Sequence, residues 1–174
     1  MSSKYRLLVL SLCVFMLAGC GESEEKKRFH QELLEKALND DVKKAGVAFL
    51  KENAQKQGVV VLASGLQYQV LRSGNGDKPT MLDSVRVNYS GWRIDGELFE
   101  SSSEKDEKPV FPVKGVIKGW RQALLMMQPG AVWKVFLPSE LAYGATSPNI
   151  MIPANSALVF EIELLEVLPD QGNK

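Results

Sequence analysis

The first third of the chain carries apolar residues at helical spacing. Between residues 28 and 57 they recur at steps of three and four, with Glu and Lys on many of the other positions. The members of this stripe are Phe29, Leu33, Ala37 or Leu38, Val42, Ala45 and Phe49. The period predicts one amphipathic helix about 45 Å long, with Gly58 as its stop. The stripe needs an apolar partner, and the sequence leaves open whether this is the chain's own domain or a second copy.

Strand-like alternation fills the chain from about residue 59 onward. The stretches that predict strands are residues 59–62, 65–71, 84–92, 98–102, 110–113, 131–137 and 157–167. In the clearest of them, 84–92, Val85, Val87 and Tyr89 share one face and polar residues share the other. Asp95-Gly96 is a hairpin signal. We expect about five antiparallel strands in one sheet.

One short helix interrupts the strands. It follows Gly119, includes Trp120 in its first turn and ends before Pro129-Gly130. The expected fold class is therefore α+β: a bent antiparallel sheet of about five strands wrapped on one short helix, preceded by an N-terminal helix. Such a domain, from residue 59 to 168, is long enough to bury a core of its own.

The first twenty residues follow the plan of an export signal. Lys4 and Arg6 precede an apolar stretch, residues 7–17, that is too short to span a bilayer as a helix. Leu17-Ala18-Gly19-Cys20 then resembles a bacterial lipoprotein signal, in which the cysteine thiol is lipidated after cleavage. A plain secretory signal with an incidental cysteine is the alternative. We expect lipid on Cys20 to anchor the protein at the periplasmic face of the bacterial envelope, at the outer membrane.

Charge and composition exclude several classes of function. The formal net charge is 0, or −2 once residues 1–19 have left, and no basic run is present. Nucleic acid is therefore not an expected partner. Of the two cysteines, Cys13 would leave with the signal and Cys20 would carry lipid, while the single histidine, His30, is expected to be a solvated helix residue. A His-assisted triad and a His/Cys zinc cluster are excluded, and no metal or cofactor is expected.

Aromatic residues gather at strand ends and loop starts in the body of the chain. They are Tyr89, Phe99, Phe111, Trp120, Tyr143 and Phe160. A few of them would fill a core of this size, so they are either all core or in part the lining of a pocket. Trp120 presents the same choice, because it is either ordinary core or the floor of an apolar cup with Val116-Ile117 as its wall.

Five motifs occur along the body in a recognisable order. They are Val87-Asn88-Tyr89-Ser90-Gly91, Asp95-Gly96-Glu97-Leu98-Phe99-Glu100-Ser101-Ser102, Val116-Ile117-Lys118-Gly119-Trp120, Ala142-Tyr143-Gly144 and Leu158-Val159-Phe160-Glu161-Ile162-Glu163-Leu164-Leu165. Together they resemble FKBP-type peptidyl-prolyl isomerases over about residues 65–168. Residues 48–68 resemble the entry to that domain in the bacterial subgroup that includes the macrophage infectivity potentiator, in which a helix links a dimerisation module to the catalytic domain.

The resemblance implies an enzyme that isomerises Xaa-Pro bonds in unfolded or partly folded polypeptides without a cofactor. Trp120 would lie under the proline ring. The walls would be Tyr89, Phe99, Phe111, Val116, Ile117 and Phe160. The Tyr143 hydroxyl and the Ile117 backbone N–H would hold substrate carbonyls, and Met151 and Ile152 would lie in the loop above. Glu100 stands where many members have Asp, and its carboxylate would reach the substrate carbonyl or Tyr89.

The same resemblance implies macrolide inhibitors as ligands. The apolar stripe, rather than the resemblance, predicts a homodimer through the N-terminal helix, because the module before the domain is much shorter here than in the long members of the subgroup. A catalytically weak FKBP-fold chaperone or binding module is the alternative function, because Glu100 departs from the usual Asp; Pro148 is a second departure, at the loop. The expected division of the chain is a signal peptide at 1–19, a tether at 20–27, a helical linker at 28–58, the isomerase domain at 59–168 and a tail at 169–174.

Overall fold

The computed structural model of the protein describes residues 26–29 and 40–170. The chain divides into two compact units, residues 1–39 and 40–174. In the first unit, residues 26–29 are helical and exposed. The features predicted outside the described residues are the signal at 1–19, Cys20, His30, Leu33, Ala37 and Leu38. None of the helices in the described ranges is long and apolar enough to cross a membrane.

The second unit is built on one antiparallel sheet of seven strands. In chain order these are β1 (Val60–Val61), β2 (Gln67–Arg72), β3 (Ser84–Arg93), β4 (Leu98–Ser101), β5 (Val110–Pro112), β6 (Val132–Leu137) and β7 (Leu158–Leu168). Their order in the sheet is β1-β2-β6-β7-β3-β4, and β5 pairs with β3. The predicted fold class is confirmed. The strand number exceeds five because β1 and β5, with two and three residues, form short pairings of their own.

The inner face of the sheet holds the main core. Along β3 every second residue is buried, beginning with Val85, Val87 and Tyr89, which confirms the predicted alternation. The same side collects Val135 and Leu137 of β6 and Ile162 and Leu164 of β7, together with the short helix α2 (Lys118–Leu124). Two single-turn 3-10 helices, Val113–Gly115 and Ser139–Leu141, connect these elements.

Helix α1 (Asp41–Asn53) replaces the single helix expected over residues 28–57. Asp40 has an extended backbone, with φ −62° and ψ 108°, and its carboxylate accepts hydrogen bonds from the N–H groups of Val42 and Lys43. Such a residue is a helix N-cap, so α1 begins directly after Asp40. The prediction of one continuous helix is therefore wrong at Asp40. The apolar period continued across it, but the period does not register a capping side chain.

Helix α1 packs on the outer face of the sheet through Gly46, Leu50 and Asn53. Leu50 joins Phe136 of β6 and Val159 of β7 in a second apolar cluster. A Cβ built at Gly46 would come within 2.9 Å of the Ala157 Cβ, so glycine at this position permits the close contact. The helix thus packs on its own domain. Phe49 is the member of the predicted stripe that takes part, against Phe136, whereas Val42 is 36% exposed and Ala45 is exposed as well.

Candidate active site

Trp120 lies in the first turn of α2 and is 5% exposed. Gly119 precedes it at a point where a Cβ would approach the Leu137 side chain to 2.4 Å, so only glycine lets α2 come this near to β6. Three aromatic rings meet the indole edge-on. Their centroids lie 5.0 Å away for Tyr89, 6.0 Å for Phe111 and 5.4 Å for Phe160. Edge-to-face packing is a favoured aromatic geometry, and it fixes the indole from three sides.

A cavity of about 300 Å³ opens at this aromatic cluster. Its lining residues are Tyr89, Glu100, Phe111, Gly115, Val116, Ile117, Trp120, Tyr143 and Phe160. The volume is at the lower end of the range for small-molecule sites, about 300–1,000 Å³. Most of the lining is apolar, with a carboxylate and two phenol hydroxyls as its polar groups. We call this cavity the aromatic pocket.

Tyr89 and Glu100 form a hydrogen-bonded pair in the aromatic pocket. The Tyr89 hydroxyl donates to Glu100 Oε1 at 2.6 Å. Burial raises the pKa of the Tyr89 phenol above its usual range, and the hydrogen bond to Glu100 raises it further. The phenol therefore keeps its proton at neutral pH and stays a donor. Although Glu is one carbon longer than Asp, its carboxylate still meets Tyr89.

The backbone of Tyr89 is held by Ser102 at the end of β4. The Tyr89 N–H donates to Ser102 Oγ at 2.8 Å, and Ser102 Oγ donates to Asn88 Oδ1 at 2.9 Å. Ser102 is fully buried, so these bonds are shielded from water. The Ser102 N–H returns a bond to the Tyr89 carbonyl. The two strands that carry Tyr89 and Glu100 are thus locked together beside the aromatic pocket.

Tyr143 and Ile117 supply two further polar groups. Tyr143 is half-buried after the second 3-10 helix, and burial together with the Glu100 charge raises the pKa of its phenol. The Tyr143 hydroxyl is consequently a donor at neutral pH. Ile117 is the N-cap residue of α2, so its N–H precedes the hydrogen-bond ladder of that helix.

Three residues predicted for the site do not line the aromatic pocket. Phe99 stands one ring behind it, edge-on to Phe160 at 5.6 Å between centroids. Ile152 is 2% exposed and belongs to the main core, whereas Met151 is 37% exposed. The Asn149 carboxamide accepts hydrogen bonds from the N–H groups of both residues and closes a turn that the sequence pattern does not reveal. Neither Met151 nor Ile152 lines the aromatic pocket, and their role in the loop above it stays a prediction.

Several residues around the pocket were not anticipated from the sequence. Gly115 lines it, and Arg121 Nη2 donates to the Val116 carbonyl at 3.3 Å, which holds that wall. Gly91 allows the rings of Phe99 and Phe160 to pack directly on the backbone of β3, because a Cβ at this position would lie 2.7 Å from Phe99 and 2.8 Å from Phe160. Glycines inside strands are the signal that could have shown this close approach.

A second cleft of about 450 Å³ lies between α1 and the outer face of the sheet. Its walls include Phe49, Trp92 and Phe136, with Lys56 and Lys134 at its margin. The Lys56 ammonium sits over the Phe49 ring, 5.8 Å from the centroid. No carboxylate and no tyrosine hydroxyl lines this cleft. The aromatic pocket is therefore the better candidate for a site that orients a substrate, although it is smaller.

Comparison with known families agrees with this geometry. Residues 76–165 match the family described as FKBP-type peptidyl-prolyl cis-trans isomerase. Residues 20–70 match the domain amino terminal to FKBP-type peptidyl-prolyl isomerase. The chain belongs to the FKBP-type peptidyl-prolyl cis-trans isomerase family, and the resemblance drawn from the five motifs is confirmed.

Individual relatives place the chain near the macrophage infectivity potentiators. It is 48% identical over 120 residues to the peptidyl-prolyl cis-trans isomerase Mip of Coxiella burnetii, covering 69% of this chain and 52% of the relative. It is 42% identical over 146 residues to the outer membrane protein MIP of Legionella longbeachae, covering 80% and 63%. The chain thus spans between about half and two thirds of the length of these relatives.

A solved structure supports the fold in the same way. The peptidyl-prolyl cis-trans isomerase of Pseudomonas syringae pv. tomato superimposes with a TM-score of 0.69 at 37% identity, covering 74% of this chain and 95% of that one. The sheet and α2 therefore follow an arrangement already seen in that enzyme.

Proposed function

We propose that this protein catalyses the cis–trans isomerisation of Xaa-Pro bonds in unfolded or partly folded polypeptides. The observation that carries the proposal is the aromatic pocket, in which Trp120 is met edge-on by three rings and faced by the Tyr89–Glu100 pair. Membership in the family supports the same reaction.

Rotation about an Xaa-Pro bond needs no general acid, general base or metal ion. The barrier to rotation about a peptide bond is about 18–20 kcal/mol because the planar amide is stabilised by resonance. In the twisted transition state this resonance is lost and no covalent bond breaks. An apolar surround disfavours the dipolar planar form relative to the twisted one, and every 1.4 kcal/mol or so gained in this way is tenfold in rate.

The polar groups of the pocket would orient the substrate. The proline ring would lie on Trp120, between walls formed by Phe111, Val116 and Phe160. The Tyr143 hydroxyl and the Ile117 N–H would donate to substrate carbonyls. Glu100 would fix Tyr89 and face the twisted carbonyl, and Phe99 would back the wall from behind Phe160.

A protease-coupled assay of a proline tetrapeptide tests the proposal. The wild-type protein is expected to accelerate the slow cis-to-trans phase in proportion to its concentration, and a macrolide inhibitor of the family is expected to abolish the effect. No acceleration, combined with suppression of aggregation of an unfolded protein, would instead establish a chaperone or binding module.

We further propose that a lipid on Cys20 anchors the protein to the periplasmic face of the outer membrane. The motif Leu17-Ala18-Gly19-Cys20 supports this, and so does the likeness to the protein named outer membrane protein MIP. The division into signal 1–19, tether 20–27, linker 28–58, isomerase domain 59–168 and tail 169–174 is part of the same proposal. Cys20→Ser should move the protein into the soluble fraction; a variant that still fractionates with membranes would contradict the anchor.

A homodimer through the helical linker completes the proposal. Val42 and Ala45 on α1 are exposed although they belong to the apolar stripe. An exposed apolar stripe on a helix is typical of a surface that has a partner.

A further inference from the structure

One wall of the aromatic pocket is bordered by positive charge. Gly115, Val116 and Ile117 line the cavity, and the residues on either side of them, Lys114 and Lys118, are both exposed. Arg121 reaches the same wall, since its Nη2 donates to the Val116 carbonyl. Three cations therefore border a stretch of three lining residues.

No acidic residue near them in the sequence offsets this charge. Residues 108–139 contain five Lys and Arg and no Asp or Glu. None of the ion pairs that join residues 40–170 includes Lys114, Lys118 or Arg121. Arg121 Nε is buried and has no hydrogen-bond partner within the described chain. Since Lys114 and Lys118 are exposed, their charges are the ones at this wall that a ligand can reach.

The other side of the pocket is acidic. Glu100 is the only carboxylate among the lining residues, and the Tyr89 hydroxyl already donates to it. A bound peptide would therefore meet the Glu100 carboxylate, which already accepts a bond from Tyr89, on one side. On the other side it would meet Lys114 and Lys118, which are exposed.

We propose that Lys114 and Lys118, with Arg121 behind them, make the enzyme prefer prolines that have an acidic residue within two positions along the chain. The inference rests on the proposed isomerase function and names the substrate class of that site. Contacts between exposed charges are weak and screened by salt, so the preference should amount to about two- to fivefold in kcat/KM at low ionic strength.

Matched peptides measure the preference. Two series carry Gln, Glu or Lys either two positions before the proline or directly after it, with all other residues constant. At about 20 mM salt the Glu-to-Gln ratio of kcat/KM should exceed two in at least one series, with Lys below Gln in that series. At about 500 mM salt the ratio should fall towards one, because the Debye length shrinks to a few ångströms.

Charge reversal assigns the effect to the wall. Lys114→Glu combined with Lys118→Glu should bring the Glu-to-Gln ratio below one, and the ratio within each variant is independent of how much protein is folded. The matched control is Lys51→Glu combined with Lys78→Glu, two exposed lysines on α1 and in the β2–β3 loop. The control pair changes the net charge by the same amount as the Lys114→Glu and Lys118→Glu pair, and it should keep the wild-type Glu-to-Gln ratio of kcat/KM.

Two results would overturn the inference. One is a Glu-to-Gln ratio of one or less in both series, and the other is an equal shift of the ratio by the control pair, which would reveal only the charge of the whole molecule. Failure of the proposed function is recognised separately, because the neutral Gln peptides would then not be isomerised at all.

Discussion

Two phenol groups share the aromatic pocket with one carboxylate, and each phenol keeps its proton. Burial raises the pKa of Tyr89 and of Tyr143 above the ordinary value of about 10, and the Glu100 charge acts in the same direction on both. Both hydroxyls are therefore donors throughout the neutral and mildly alkaline range. The pocket can orient carbonyl groups without a change of its own charge.

The first prediction is a flat pH profile for kcat/KM between about pH 7 and 9. A raised phenol pKa means that the neutral donor form persists up to its ordinary titration range of about 10 and beyond. Activity should thus fall only above that range, as the donors are lost. A decline with an apparent pKa near 8 in a peptide without titratable groups would contradict this account of the two tyrosines.

The second prediction concerns the Tyr143 hydroxyl alone. Tyr143→Phe removes one donor and should lower kcat/KM by up to about tenfold, since a hydrogen bond contributes about 0.5–1.5 kcal/mol. Tyr68→Phe is the matched control, because Tyr68 stacks on Trp133 at 4.3 Å, away from the pocket lining. Equal rates for the two variants would remove Tyr143 from the mechanism.

At the scale of elements, the sheet could be predicted and the helix boundary could not. Period-two alternation located β3 within one residue of its final bound, because Val85, Val87 and Tyr89 must all face one core. The resemblance carried by the five motifs also predicted that several aromatic residues line one pocket. The turn that holds Ile152 depends on the Asn149 carboxamide, and the start of α1 depends on the Asp40 carboxylate. Hydrogen bonds of this kind, from backbone N–H groups to a nearby side chain, do not alter the spacing of apolar residues, so that spacing cannot predict them.

The third prediction tests Asp40 as the start of α1. The Asp40 carboxylate caps the helix and also accepts a hydrogen bond from Asn155 Nδ2 at 2.5 Å. Asp40→Ala should lower the free energy of unfolding by about 0.5–2 kcal/mol, the usual range for a lost N-cap. Urea denaturation measures it, with the exposed neighbour Asp41→Ala as control; the same midpoint for both variants would refute the cap.

The same carboxylate predicts a direction for the effect of acid. The hydrogen bond from Asn155 lowers the pKa of Asp40 below its ordinary value, and those from the helix N–H groups lower it further. A lowered pKa stabilises the fold above the ordinary titration range and loses that contribution as the pH falls. The difference between wild type and Asp40→Ala should therefore shrink in acid.

At the scale of the whole molecule, the two faces of the sheet pack against different parts of the chain. The inner face carries the core and the aromatic pocket, and the outer face carries α1. Since α1 packs through Gly46, Leu50 and Asn53, its stripe residues Val42 and Ala45 stay exposed and line an open cleft of about 280 Å³ beside Ile94 and Pro153. This arrangement supports the proposed homodimer without involving the pocket.

The fourth prediction is a dimer mass for the mature protein, residues 20–174 with Cys20→Ser, in light scattering. Val42→Glu combined with Ala45→Glu should shift the mass to that of a monomer, because two charges would enter the apolar contact. Isomerase activity on a short peptide should be retained, since neither residue lines the pocket. If the mature protein without the Val42→Glu and Ala45→Glu substitutions has the mass of a monomer at high micromolar concentration, the dimer is excluded.

The most direct test of the central account is NMR exchange spectroscopy of a proline peptide, which measures cis–trans interconversion without a coupling protease. Wild-type protein should accelerate exchange, and Phe99→Ala should reduce the catalysed rate about tenfold or more, because the wall behind Phe160 is lost. Phe49→Ala makes the same substitution in the outer cleft and should keep the wild-type rate per folded molecule. The assignment of isomerisation to the aromatic pocket would be contradicted if Phe99→Ala catalysed exchange at the wild-type rate. It would also be contradicted if only Phe49→Ala lowered the catalysed rate.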